Sequence, residues 1–213
     1  MIDEQTEKRR SSFWREMPIL LAVAVLVAFV VRAFVLQTFY IPSQSMEHTL
    51  DLNDRVLVNK LVYDFREPHR GEIIVFKAPS EWRTGAESED FIKRVIGLPG
   101  DQLKYVQAEG RITVNGNPID EPYLFQENGE RDAPADRDFE VTVPEGRLWV
   151  MGDHRSQSGD SLEHWGRSAD IQVATIPLDS VVGRAFVLFW PFSRATWLSP
   201  PSTFDGVPAP KGS

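Results

Sequence analysis

The stretch IPSQSMEHTL, residues 41–50, places two hydroxyls, Ser43 and Ser45, two positions apart behind a proline. A small-x-small pattern of this kind marks a signal-peptide cleavage site. It also suits a hydroxyl-rich turn that holds a nucleophile. A serine hydroxyl is a weak nucleophile and needs an adjacent base. The chain contains no cysteine, which excludes a thiol nucleophile, a disulfide and any Cys-ligated metal or redox site.

Two residue types can supply the base. The histidines are His48, His69, His154 and His164. His154 and His164 lie among Asp153, Asp160 and Glu163, but the spacing matches no tight ligand motif, so no metal is expected. The other choice is a lysine held neutral. A free lysine has a pKa of about 10.4, and burial among apolar groups lowers it by several units. In EDFIKRVIGLPGD (89–101), a strand would put Phe91, Lys93 and Val95 on one face and Ile92, Arg94 and Ile96 on the other. Arg94 keeps its charge and needs an acidic partner. Lys93 can lose its proton. Adjacent cations in a strand more commonly face solvent, so this pattern alone leaves both readings open. A third stretch, MGDHRSQSGDSLEHWG (151–166), gathers Asp153, Arg155, Ser156, Ser158, Asp160 and Ser161 around glycines. It reads either as a polar loop after a strand or as a cradle that positions a base.

The elements around these stretches predict where they sit. Residues 18–36 are apolar apart from Arg32 and, as a helix, span roughly 28 Å, just enough for a bilayer core of about 30 Å. Lys8, Arg9, Arg10 and Arg15 precede the run, and Arg55 is the only basic residue in the 20 that follow it. The positive-inside rule then puts residues 1–17 in the cytoplasm as a short tail and residues 37–197 outside, behind an uncleaved anchor. A cleavable signal peptide fits less well, because the apolar run resumes after Arg32 and Phe39, Tyr40 and Ile41 fill the approach to the cut. Beyond the anchor, Val- and Ile-rich segments at 55–63, 71–79, 91–98, 111–116, 140–152 and 180–190 alternate with Gly, Pro and Asp turns. They predict one mainly β domain. Polar stretches 79–90 and 126–139 read as mobile loops, and the proline-rich segment 198–213 as a disordered tail. The aromatic cluster FVLFWPFSRATW (186–197) suits either a last core strand or a rim at the membrane interface. Net charge is -8, which argues against nucleic acid as a partner.

IPSQSMEHTL, DRVLVNKL, RGEIIVFKAP, FIKRVIGLPGD and MGDHRSQSGDS follow one another in the order of the boxes of type I signal peptidases. The whole chain resembles that family. The resemblance implies a β-rich fold of antiparallel sheets behind one transmembrane helix. It implies a membrane-bound serine endopeptidase that removes signal peptides from preproteins after small residues, with no cofactor or metal. Ser45 matches the nucleophile and Lys93 the general base. Ser43, with the Ser45 backbone N–H, matches the oxyanion hole. Ser158 matches a residue that orients the lysine, and Asp160 a supporting acid. Arg94 and Asp153 match an ion-pair network. Ile41, Pro42, Leu50 and Ile92 match the walls of the substrate pockets. His48, His154, Ser156 and Gln157 depart from the commonest form, and no role carries over to them.

Three other readings compete. A self-cleaving repressor with the same pair would not need an anchor. A silent membrane-tethered binding domain would tolerate loss of Ser45 or Lys93. A Ser/His/Asp hydrolase would depend on His154 or His164. The bilayer is the second expected partner, because at most roughly 30 Å of chain separates Ser45 from Leu36.

Overall fold

The computed structural model describes residues 16–27, 29, 35–83 and 89–210. The chain divides into two compact units, Met1–Gln37 and Thr38–Ser213. In the first, residues 16–27 are helical and exposed on every side. Among the described residues, no helix is long and apolar enough to cross a membrane. The anchor expected over 18–36 is therefore not found as a span. Residues 28 and 30–34 lie outside the described residues, as do residues 1–15 of the expected cytoplasmic tail. Leu36 is a correction: it opens strand β1 (Leu36–Tyr40), in which polar Gln37 and Thr38 break the apolar run.

The second unit is mainly β and antiparallel. Its larger sheet runs in the order β1, β2 (Arg55–Asn59), β13 (Val181–Trp190), β3 (Ile73–Lys77), β4 (Asp90–Gly97), β11 (Arg147–Met151), β12 (Ile176–Pro177), and β14 (Thr196–Trp197) pairs with β13. A second sheet has the order β10 (Phe139–Thr142), β5 (Gln102–Val106), β6 (Arg111–Val114), β7 (Asn117–Pro118). A hairpin of β8 (Gln126–Glu127) and β9 (Glu130–Arg131) lies within the stretch expected to be a mobile loop. The six segments predicted as strands all contain one. The run 140–152 divides at Pro144–Gly146, because proline has no N–H for the ladder and Gly146 adopts φ 70°. Strand β5 escapes the apolar-run reading because its exposed positions are Gln102 and Lys104.

Composition explains which strands lie where. β3 reads IIVFK and is buried on both faces, as a central strand must be. Its odd and even side chains feed separate cores. Ile73 and Val75 pack with Ile41, Met46, Leu50, Val56 and Val58, whereas Ile74 and Phe76 pack with Trp82, Val95 and Val150. The turn Leu98–Asp101 depends on Gly100 at φ 79°, and the Asp101 carboxylate accepts the Leu98 N–H.

The segment from Leu198 is also a correction. It was expected to be disordered on its prolines, yet Leu198, Phe204 and Val207 are buried. The Pro208 carbonyl accepts from Arg70 and Asn115, and Thr203 accepts the Asp120 N–H. Phe204 lies against Gly71, where a Cβ would meet its ring at 2.7 Å. Phe204→Ala is expected to destabilise the domain by about 3 kcal/mol, lowering Tm by roughly 6–12 °C in thermal unfolding. A tail with no packing role would leave Tm unchanged.

Candidate active site

The ladder between β11 and β4 ends at Met151 opposite Arg94. Beyond it the chain leaves the sheet as Gly152–Ser158, and Lys93 stands one residue past the last pair. The turn 43–50 closes against this end. Its carbonyl at Ser45 accepts the His154 N–H at 3.1 Å. Met46 and Leu50 are fully buried and fix the turn to the core beneath. As a result Ser45 Oγ and Lys93 Nζ are hydrogen-bonded at 2.5 Å across 48 residues of sequence.

Both groups are buried, with Lys93 only 4% exposed. Burial pushes the Lys93 ammonium down to about 8, against the pull of Asp160 and then Asp153. Asp153 is largely occupied elsewhere. Its carboxylate receives Arg94 through two bonds, at 2.8 and 2.5 Å, and also the Thr49 hydroxyl at 2.5 Å. Arg94 donates further to the Gly71 carbonyl and lies 4.1 Å over the Tyr123 ring. The cation next to the lysine thus carries its own counter-ion. Burial raises the Asp160 carboxyl above the ordinary range. It still accepts the Gly152 and Leu162 N–H groups and caps the helix Ser161–Ser168. Ser158 Oγ is buried beside it and makes no hydrogen bond of ordinary geometry. Ser43 Oγ lies 3.4 Å from Ser45 Oγ.

A groove of about 570 Å³ runs past this pair. Ile41, Pro42, Ser43, Ser45, Ile92 and Lys93 line it, joined by Phe39, Tyr40, Val75 and Phe91. Most of these walls are apolar, which suits uncharged side chains. Leu50 is not among the lining residues. It sits in the core under the turn.

The predicted site residues therefore converge, apart from Leu50, which supports from below. Neither histidine competes for the hydroxyl. The His154 ring is hydrogen-bonded to Glu47 and the His164 ring stacks on Trp82 at 4.5 Å. Sequence reasoning missed Thr49, which bridges the turn to Asp153, and Trp82, Gln157, Gly159, His164 and Arg167, which complete the groove. It also missed the helix Ser161–Ser168, since eight residues are too few to show helical periodicity. Phe39 could have been found: it shares a strand face with Ile41.

A serine hydroxyl held on a buried, deprotonatable amine at the edge of an apolar groove defines a serine hydrolase. The family model described as signal peptidase, peptidase S26, matches residues 14–190. A probable signal peptidase I-2 of Synechocystis is 37% identical over 210 residues, covering 97% of this chain and 88% of its own. A signal peptidase I of Leptolyngbya laminosa is 38% identical over 188 residues, covering 86% and 83%. A signal peptidase I of Mycobacterium tuberculosis is 35% identical over 229 residues, covering 90% and 77%. The chain belongs to the signal peptidase family, peptidase S26. It is a serine endopeptidase, a hydrolase that removes signal peptides.

Gly152 shows how closely this site is packed. A Cβ there would overlap the Ser45 carbonyl oxygen and Ser158. Gly152→Ala is expected to displace the turn 43–50 and lower kcat/KM on a preprotein by about 10²-fold. Gly206→Ala, whose Cβ would meet open space away from the groove, is the control and should stay within about threefold of wild type.

Proposed function

We propose that Ser45 is the nucleophile and Lys93 the general base of a membrane-anchored signal peptidase that cuts after small residues at P1 and P3. The observation that carries this reading is the 2.5 Å contact between Ser45 Oγ and a lysine whose burial brings it to about 8. The neutral Lys93 amine takes the Ser45 proton as Oγ attacks the scissile carbonyl carbon. The oxyanion that forms is held by the Ser45 backbone N–H and the Ser43 hydroxyl. Lys93, now an ammonium, returns the proton to the departing amine nitrogen, leaving an ester on Ser45. Water then gives a proton to Lys93 and attacks the ester, and as that intermediate collapses Lys93 returns the proton to Ser45 Oγ, freeing the signal peptide with its new C-terminal carboxyl group. Ser158, buried beside Asp160, is assigned the orienting role for Lys93, Asp160 supplies the balancing charge, and Arg94 with Asp153 braces the turn.

The location is part of the same reading. The apolar run at 18–36 with its basic leader supports a single anchor with the N-terminus in the cytoplasm. Trp190, Phe192 and Trp197 project from the other end of β13 and β14, Phe192 being 77% exposed. Rings of this kind sit well at headgroup level. Lipid bilayer and preprotein are thus the two partners proposed, with neither nucleic acid nor metal taking part.

The test uses the full chain in detergent with a preprotein bearing an Ala-x-Ala site. Ser45→Ala should abolish cutting after that site. Lys93→Ala should lower kcat by roughly 10²–10⁴. Normal cutting by either variant would overturn the assignment.

The pH dependence has a definite sign. The base must be unprotonated, so kcat/KM should fall about tenfold per unit as pH drops below about 8, and level off above it. Asp160 holds Lys93 up electrostatically, so Asp160→Asn should move this limb to lower pH. A flat profile from pH 6 to 9 would count against a lysine base.

A further inference from the structure

Nothing in the catalytic reading uses the ring of His154. Yet this residue touches the nucleophile turn twice. Its backbone N–H donates to the Ser45 carbonyl at 3.1 Å. Its ring Nδ1 lies 2.9 Å from Glu47 Oε2, two residues past the nucleophile. The ring is buried and cannot turn away, because it stacks on Phe125 at 3.8 Å and 15°. Phe125 is itself tied to the same loop, its N–H donating to the Asp153 carbonyl at 2.9 Å. Asp153 meanwhile receives the Thr49 hydroxyl. Two adjacent residues, Asp153 and His154, thereby hold turn positions 45, 47 and 49.

We propose that His154 is a positioning residue for the proteolytic reaction: its bond to Glu47, set by the stack on Phe125, holds the turn so that Ser45 stays on Lys93. The proposal rests on Ser45 being the nucleophile. The ring is not part of the groove lining and its Nδ1 is engaged by Glu47, so it is given no part in proton transfer. Loss of the bond frees the turn at Glu47, and the flanking contacts at Ser45 and Thr49 then restrain it less closely. Substrate still finds the same apolar walls, since Ile41, Val75 and Ile92 belong to strand and core rather than to the turn. The defect therefore belongs in kcat and not in KM.

The experiment compares His154→Ala, His154→Asn, Glu47→Ala and the double His154→Ala/Glu47→Ala in the full chain, with an Ala-x-Ala preprotein as substrate and Tm recorded for each. Asn carries a nitrogen donor at the same distance from Cβ as Nδ1. His154→Ala should lower kcat at least about tenfold with KM within twofold, since misplacement on the order of 1 Å costs about 10²-fold. Glu47→Ala should show the same loss, and the double variant should be no worse than either single one. His154→Asn should recover most of kcat. If His154→Ala fails to fold, Glu47→Ala, on a partly exposed side chain, decides alone.

A kcat within twofold of wild type for Glu47→Ala, losses that multiply in the double variant, or no recovery with Asn in a protein of unchanged Tm would each overturn the proposal. Ser45→Ala and Lys93→Ala run alongside: cutting by those variants would instead overturn the nucleophile assignment, whatever His154 does.

Discussion

The removal of water from one amine governs this site. Lysine in water is a cation at neutral pH, and only desolvation makes it a usable base. Every neighbour of Lys93 follows from that requirement. The strand that carries it is central enough to bury it, yet the adjoining ladder with β11 stops one residue short, so its head has a place to meet Ser45. The next residue is an arginine that burial cannot discharge. It is neutralised on the spot by Asp153 through a two-pronged contact, which keeps its field from bearing on the lysine unbalanced. Asp160 pulls the other way. A carboxylate beside Lys93 favours the ammonium, and burial raises the Asp160 carboxyl in turn. The balance leaves the lysine near 8, close enough to neutrality to act as both base and acid.

Much of this was legible in the sequence because it is local. The strands around β3 follow from residue types within a few positions, whereas the break at Pro144–Gly146 inside the segment expected at 140–152 went unread. Ser45 and Lys93 were each only suggestive alone, and the family boxes brought them together. What one strand cannot reveal is which of its cations is buried with a partner. Arg94 and Lys93 look alike in FIKRVIG, and their fates are decided by Asp153 and Ser45, 59 and 48 residues away.

The misreadings have the same origin. Composition from Leu198 onward resembles a solvated tail, since Pro200, Pro201, Pro208 and Pro210 punctuate it. Proline lacks an N–H but keeps its carbonyl, and Pro208 uses it to receive Arg70 and Asn115. Phe204 finds its place only because Gly71, which precedes β3, has no side chain to block it. Likewise Trp82 reads as an isolated aromatic in a polar loop. Its indole N–H reaches the Val173 carbonyl and its face meets His164. No window along the chain contains both members of such a contact. Leu50, expected as a pocket wall from the family resemblance, lies instead in the core under the turn.

That turn shows why its supports are so numerous. Met46 and Leu50 are both fully buried in one core, yet they are four residues apart. The chain must rise from the core at 46, cross over and descend by 50. The N–H groups of Thr49 and Leu50 both return to the Met46 carbonyl, and the crest falls at His48, exposed and at φ 81°. A non-glycine residue at positive φ costs of order 1–3 kcal/mol and persists only where its surroundings over-determine it. The flanks supply that. Asp51 accepts the His48 N–H, and Arg194 binds Asp51 and Asp54 from the hairpin end of β13. On the upstream side Asp153 and His154 hold 45, 47 and 49. A relaxed turn would let the crest flatten, and Ser45 would move first, since it lies at the foot of the rise with only hydrogen bonds to hold its peptide. The strain at His48 and the short contact to Lys93 are therefore two ends of one constraint: the hydroxyl can be pressed onto a desolvated amine only by a turn too tight to relax without breaking its ties to both flanks.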